Sequence, residues 1–192
     1  MPANTELKVC NRALQLIGAD TMSAFTDVTI EAQVASALYE DIARDALTDS
    51  RWRFASKQES LYSNGSTPLG RWASSFTVPS DMLSANAITI NDSPIEYDLY
   101  GDDVYCDAGS SDVLILDYVF RALEANWPAY FTIAVEFKMA SVFALSVARD
   151  ENLATIMENR AELLMRRARS KDSQQQTTRK LNTSRFITQR RS

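Results

Sequence analysis

Histidine is absent from this chain of 192 residues, and glycine and cysteine are scarce. Because histidine is the commonest general base and metal ligand, its absence argues against catalytic triads and zinc sites, although carboxylate chemistry stays open. The five glycines leave little room for a glycine-rich phosphate loop. Cys10 and Cys106 are isolated, so they indicate a reducing compartment. We therefore expect a protein that is not an enzyme, with no cofactor and no metal.

Membrane-targeting features are also scarce. The N-terminal stretch MPANTELK has no apolar signal region, which predicts a protein that is not secreted. The most apolar stretch, residues 130–148, contains Glu136 and Lys138 in its middle. We interpret it as a helix buried in a core or a subunit interface and expect no membrane partner.

Charge is unevenly distributed along the chain. Residues 166–192 contain nine arginines and lysines and a single acid, Asp172, so this segment is at +8. The whole chain is at −5, which leaves the preceding residues at −13. An acidic body with a basic, apolar-poor end is typical of a folded domain that presents an arm to nucleic acid or to an acidic protein surface.

Periodicity divides the body into helical ends and a β-rich middle. Helices are predicted over 5–17, with Asn4 as N-cap and Gly18 as the stop, and over 29–48, with an apolar stripe. That stripe comprises Val34, Ala35, Leu38, Ile42 and Ala46. Further helices are predicted over 128–149 and over 153–170, where Ile156, Leu163 and Leu164 are expected to face inward. Short alternating runs separated by turn residues predict strands at 75–78, 87–90, 95–100, 104–107 and 113–120.

The predicted fold class is α+β. Helices from residues 1–56 and 123–170 are expected to form one bundle, an antiparallel β-unit at 57–122 is inserted between them, and residues 171–192 form a flexible basic arm. In the second helix, Glu40 and Arg44 are expected to form a surface ion pair.

Two motifs invite a chemical interpretation. Tyr100-Gly101-Asp102-Asp103 copies the YGDD turn that binds metal in RNA-dependent polymerases, but the chain is far too short for a polymerase. We interpret it as the tip of a β-hairpin, and the nearby acids as a solvated cluster. Arg51-Trp52-Arg53-Phe54 could stack nucleic-acid bases, but we favour Trp52 and Phe54 capping the core. Trp127 is likewise expected to be a core anchor.

Several segments together resemble a known family, the tail tubular protein A group of short-tailed bacteriophages. The matching segments are NRALQLIG (11–18), RWRF (51–54), VPSDML (78–83), YDLYGDDVYCD (97–107) and LILDYVF (114–120), followed by the long apolar helix. Their order covers about residues 4–170, nearly all of the predicted folded part.

The resemblance implies a virion structural protein, the head-to-tail adaptor at the head-tail junction, assembled in the host cytoplasm. Its subunits would form a homo-oligomeric ring of about twelve copies that joins the portal to the tail nozzle, with genomic DNA passing through during ejection. The arm would dock on the portal through Arg179, Lys180, Leu181, Arg185, Phe186, Ile187, Arg190 and Arg191. The hairpin residues Tyr100, Asp102, Asp103 and Tyr105 would face the nozzle.

Two features of the residues agree with such a connector. An acidic body suits a conduit for DNA because it repels phosphate, and a helix that is apolar on several faces suits a ring interface. The alternative is a nonspecific nucleic-acid-binding protein that uses the basic arm. A metal-dependent enzyme at Asp102 and Asp103 is a third hypothesis.

Overall fold

A computed structural model describes residues 4–175 of the chain. Within these residues, four α-helices and seven β-strands follow one another in the predicted order, with two helices before the β-unit and two after it. The helices are α1 Glu6–Leu16, α2 Ile30–Thr48, α3 Ala129–Ser146 and α4 Glu151–Ser173. The strands are β1 Ser56–Leu61, β2 Ser74–Thr77, β3 Met82–Ile90, β4 Ser93–Pro94, β5 Tyr97–Tyr100, β6 Asp103–Cys106 and β7 Leu114–Phe120. The α+β class is therefore confirmed.

The N-cap of the first helix lies one residue later in the chain than predicted. Thr5, not Asn4, is the N-cap, because its side chain accepts a hydrogen bond from the backbone N–H of Lys8. Asn4 instead donates to the Thr132 hydroxyl of α3, which ties the start of the chain to the bundle. Gly18 follows the helix with a φ of 74°, as expected of a glycine that ends a helix.

The second helix has its predicted bounds and part of its predicted buried face. Thr29 caps it by accepting from Ala32 N–H, and the predicted Glu40–Arg44 ion pair is present at 2.6 Å. The predicted stripe is confirmed in part: Ala35 and Ala46 are buried, and Val34 and Ile42 are half-buried against the core. The prediction for Leu38 was wrong, because this side chain is exposed. The buried face is made mostly of alanines and comprises Ala32, Ala35, Tyr39, Ala43, Ala46 and Leu47.

The third helix is the centre of the bundle and contacts α1, α2 and α4. It runs antiparallel to α2, since Phe131 lies against Trp52 while Lys138, further along, pairs with Asp45. By length and mean hydropathy it is the one described helix that could cross a membrane, but half of it is buried inside the protein. It therefore meets the expectation of a helix buried in a core.

The fourth helix is longer than predicted at both ends. Asp150 caps it through the N–H of Leu153, and the helix continues to Ser173, three residues into the predicted arm. Its inward face comprises Ala161, Met165, Ala168 and Asp172. The prediction that Ile156 faces inward was wrong, because this side chain is 62% exposed, whereas Leu163 and Leu164 are half-buried.

The β-unit consists of two antiparallel sheets. One has the strand order β1-β7-β3-β4 and the other the order β2-β6-β5. The first strand was missed by the sequence analysis; it pairs along its whole length with β7, from Ser56 opposite Val119 to Leu61 opposite Leu114. β3 and β7 are paired with register shifts near Ser84 and Ala87.

Two hydrophobic clusters fill the molecule. One lies among the four helices and includes Trp52, Trp127 and Phe131. The other lies between the sheets and includes Phe76, Ile88 and Leu116. Strand β7 contributes side chains to both clusters, because Val119 belongs to the cluster among the helices and Tyr118 to the cluster between the sheets.

Candidate interaction surfaces

The YGDD segment is the tip of a β-hairpin, as predicted. Strands β5 and β6 pair from Tyr97 opposite Cys106 to Tyr100 opposite Asp103, leaving Gly101 and Asp102 as a two-residue turn. Gly101 has a φ of 59°, the left-handed conformation that such a turn requires. The rings of Tyr100 and Tyr105 lie 5.0 Å apart, so three of the four predicted hairpin residues share the outer face of this sheet.

The acidic side chains around the hairpin bind local donors rather than converging on one point. Asp103 accepts hydrogen bonds from Thr77 Oγ1 at 2.8 Å and from Asn64 Nδ2 at 3.1 Å. Asp107 accepts from Ala73 N–H, and Asp112 from Gly109 N–H. Among residues 4–175 no three cysteine or acidic side chains are placed to hold a metal ion together.

Asp98 belongs to a separate cluster beside β5. It accepts hydrogen bonds from the Arg71 guanidinium and, at 3.1 Å, from Trp72 Nε1. These two hydrogen bonds and the positive charge of Arg71 lower the pKa of the Asp98 carboxyl. The Arg71 guanidinium also stacks on the Trp72 ring at 4.7 Å. The cluster borders an open recess of about 520 Å³ that is also lined by Ile95, Glu96, Tyr97 and Asp107.

The RWRF segment joins α2 to β1 and contributes its rings to the core. Trp52 is fully buried, donates from Nε1 to the Ala46 carbonyl at 3.0 Å, and lies edge-on to Phe131. Phe54 contacts both of these rings. The core interpretation is therefore confirmed, because Trp52 is buried and the half-buried Phe54 packs against the same cluster. The Trp52 ring is thus not available to a base.

The predicted core role of Trp127 is also confirmed. This side chain is buried, donates from Nε1 to the Ala122 carbonyl at 2.9 Å, and lies edge-on to Phe131 with the ring centroids 5.0 Å apart. A ring held in this way serves as an anchor for the start of α3.

Asp172, the single acid of the basic segment, fixes the place where the chain leaves the body. One carboxylate oxygen accepts from the Tyr130 hydroxyl at 2.8 Å and the other from the Arg53 backbone N–H at 3.0 Å. Arg53 Nε donates to the Asp172 carbonyl, so both partners hold the same turn of α4. Burial, followed by the hydrogen bond and charge of Asp172, raises the pKa of Tyr130 to about 12.

The predicted portal-binding residues 179–191 lie outside the described residues. The structure does describe the basic turns that precede them. Arg166 and Arg167 are exposed on α4, whereas Arg169 pairs with Asp49 at 3.0 Å. Arg51 forms an ion pair with Asp117, so part of the positive charge at this end of the bundle is already neutralised.

Exposed apolar side chains occur on three adjacent helices. Asp45 of α2 and Lys138 of α3 form an ion pair. Leu38 lies seven residues before Asp45 and Leu145 seven residues after Lys138. Because the two helices are antiparallel, Leu38 and Leu145 are at the same level of the bundle. They are 40% and 60% exposed, and Ile156 of α4 is 62% exposed. An open groove of about 580 Å³ separates α2 from α4 and has Ile42, Val142 and Met165 among its lining residues.

A partly buried ionic cluster, which the sequence does not predict, joins the helices to the β-unit. Arg121, just after β7, binds Glu40 of α2 at 2.8 Å and Glu124 at 2.6 Å. Glu124 is buried and also accepts from the Tyr39 hydroxyl at 3.0 Å. Burial, with the charge and hydrogen bond of Glu124, raises the pKa of Tyr39 well above its usual range.

The comparisons with known proteins leave the family open. The sequence matches no family model and no curated protein.

Proposed function

We propose that this chain is a structural virion adaptor, whose copies form a ring that joins the portal to the tail nozzle of a short-tailed bacteriophage and surrounds the DNA conduit. The observation that carries the proposal is the order of the five matching segments. NRALQLIG covers most of α1 and its glycine stop, and RWRF links α2 to β1. VPSDML leads into β3, YDLYGDDVYCD contains the β5–β6 hairpin, and LILDYVF is β7.

The surface of the bundle supports the oligomeric part of the proposal. Leu38 of α2 and Leu145 of α3 expose apolar side chains beside the groove between α2 and α4. Ile156 lies nine residues before Met165 and therefore on the side of α4 that faces away from this groove. Exposed apolar side chains beside a groove are typical of interaction sites, and a ring requires a heterologous contact between two different faces of the same chain. This face of the bundle is one side of the proposed subunit contact.

The charge distribution supports the remaining contacts. The acidic body would repel the DNA phosphates and so prevent sticking in the conduit. The basic segment leaves α4 at a point that Asp172 fixes, which suits an arm that docks on the portal. The outer face with Tyr100, Asp103 and Tyr105 is the proposed contact with the nozzle.

A truncation tests the arm, and the structure decides where to cut. Deleting residues 171–192 would remove Asp172 and its bonds to Tyr130 and Arg53, so any lost binding could reflect damaged folding. Deleting residues 176–192 leaves the whole of α4. We expect this shorter deletion to abolish co-sedimentation with the portal protein while leaving the circular dichroism spectrum unchanged. Co-sedimentation at the wild-type level would contradict the proposed role of the arm.

Nonspecific nucleic-acid binding is the second candidate. The observation that favours it is a recess of about 560 Å³ at the basic end of the bundle, lined among others by Arg51, Arg53 and Arg169. If this candidate were correct, DNA retention would fall steeply with salt and would be lost on deletion of residues 176–192. No retention at low salt would eliminate it.

A further inference from the structure

The four edge strands of the two sheets differ in how they are protected from pairing with an additional strand. β1 carries Lys57 and Glu59 on its edge, and β4 is two residues long and contains Pro94. The outer edge of β2 is covered, because Ser63 bridges to Phe76 and Asn64 N–H donates to the Ser75 carbonyl. Among residues 4–175, no strand pairs with the outer edge of β5.

The open groups of β5 follow from the register of its hairpin. In a two-residue hairpin the residues that flank the turn, here Tyr100 and Asp103, are hydrogen-bonded to each other. The backbone groups of alternate residues, Leu99 and Tyr97, therefore point away from β6. Leu99 is 43% exposed, so an added strand would find both unpaired backbone groups and an apolar side chain.

The surroundings of this edge are acidic. Residues 93–112 contain six acids and no lysine or arginine. Glu96, Asp98 and Asp107 line the recess beside β5 together with one cation, Arg71, which pairs with Asp98 and leaves Glu96 and Asp107 in excess. Residues 176–192 contain five arginines and lysines and no acid, with Phe186 and Ile187 between the charges. Because aromatic and β-branched residues favour strands, the composition of this segment suits the edge of β5 in both charge and strand propensity.

We propose that the open edge of β5 binds residues 176–192 of a second copy of this chain as an added strand. A second copy fits better than the same copy, because α4 ends beside Arg53, next to the start of β1. β1 is the edge of its sheet opposite to β4, the strand that leads into β5. The inference is independent of the adaptor function, and a portal that binds the same segment would compete with β5.

Cysteine crosslinking of the full-length chain tests which residues meet. In the variant Leu99→Cys/Phe186→Cys, we expect mild oxidation to give disulfide-linked multimers on a non-reducing gel. Arg185→Cys and Ile187→Cys, each combined with Leu99→Cys, cover a shift of one residue in register. The native Cys10 and Cys106 thiols are buried, and burial raises the pKa of Cys10 to about 12, so they contribute little.

The matched control is Val28→Cys/Phe186→Cys, because Val28 is also exposed but lies in the loop before α2, outside the proposed contacts. A multimer yield at least fivefold above this control supports the proposal. A yield equal to the control at all three arm positions would overturn it. A disulfide formed within one copy, with no multimer, would overturn the assignment to a second copy.

A proline substitution tests whether the backbone carries the contact. Leu99→Pro removes an N–H that the hairpin does not use, so the hairpin should tolerate it, whereas Leu99→Ala keeps that N–H. Binding of a fluorescently labelled peptide of residues 176–192 to the full-length protein is measured by anisotropy. We expect at least fivefold weaker binding to Leu99→Pro and binding within twofold of wild type for Leu99→Ala, with unchanged circular dichroism.

Two results would contradict strand pairing. Equal binding of the peptide to the proline and alanine variants would show that the N–H of Leu99 takes no part. Equal binding of a scrambled peptide with the same composition would show that charge alone holds the segment.

Discussion

Asp172 offers the sharpest test of how the end of α4 is held. Replacing it by alanine removes the acceptor for the Tyr130 hydroxyl and for the Arg53 backbone N–H. Hydrogen bonds to a charged group contribute about 1.5–3 kcal/mol each, and both donors are only partly buried and can recover some bonding to water. We therefore expect Asp172→Ala to lower the free energy of unfolding by about 3 kcal/mol.

Two further variants separate the causes of this loss. Asp172→Asn keeps one oxygen acceptor in nearly the same shape, so a smaller loss of about 1 kcal/mol is expected. Glu158→Ala changes an exposed acid on the same helix and should stay within about 0.5 kcal/mol of wild type. Urea denaturation followed by tryptophan fluorescence measures all three. If Asp172→Ala were as stable as Glu158→Ala, the anchoring role of Asp172 would be refuted.

Three other predictions concern ionisable side chains. Arg121→Gln leaves the buried Glu124 carboxylate without its cation and should lower the free energy of unfolding by about 3 kcal/mol, measured by urea denaturation. Burial raises the pKa of Glu136 more than Arg12 lowers it, so folding favours the neutral form. Glu136→Gln should therefore slightly stabilise the protein at pH 7; this advantage shrinks as the pH falls below the raised pKa of Glu136 and is gone below the ordinary value of 4.5. The pKa values of three tyrosines are raised above 10, and these residues should ionise late in an absorbance titration at 295 nm; they are Tyr39, Tyr118 and Tyr130. Because the unfolded chain ionises these hydroxyls first, the free energy of unfolding should fall as the pH rises above 10.

A specific result would contradict each of these three predictions. Wild-type stability of Arg121→Gln would mean that Arg121 does not compensate the burial of Glu124. A destabilised Glu136→Gln at pH 7 would mean that the ion pair with Arg12 outweighs the burial of the carboxylate. Ionisation of all seven tyrosines in one step near pH 10 would contradict the hydrogen-bonded hydroxyls.

The helices and most strands could be predicted because local signals specify them. Helical periodicity and capping residues gave all four helices, and turn residues separated the strand candidates. Strand β1 was missed because its sequence SKQESL contains one large apolar residue, Leu61, and does not alternate. Its conformation depends on pairing with β7, a contact between distant parts of the chain.

The faces of the helices were harder to predict than the helices themselves. In α2 the large residues Leu38 and Ile42 suggested the core side, but the small alanines are buried because they allow neighbouring helices to approach closely. The outward position of Leu38 has no local signal, since it depends on the surface that the rest of the bundle leaves uncovered. The expected hairpin was predictable from its turn residues, whereas its neighbours Asn64 and Thr77 come from other parts of the chain.

Asp172 shows how an exception in a pattern can carry information. In the sequence, this lone acid only lowers the net charge of a basic segment. Its partners, Tyr130 and Arg53, lie in elements far away in the sequence, so no spacing rule connects them. The arm boundary predicted at residue 171 was wrong for the same reason. The helix α4 continues to Ser173, and its last turn is held to the body by the partners of Asp172.

The measurement that tests the adaptor function most directly is light scattering of the purified protein, alone and mixed with the portal protein of the same phage. We expect the mass of a ring of about twelve copies, either alone or only in the presence of the portal. A stable monomer that does not bind the portal but binds DNA in a salt-dependent manner would contradict the proposal and favour nonspecific nucleic-acid binding.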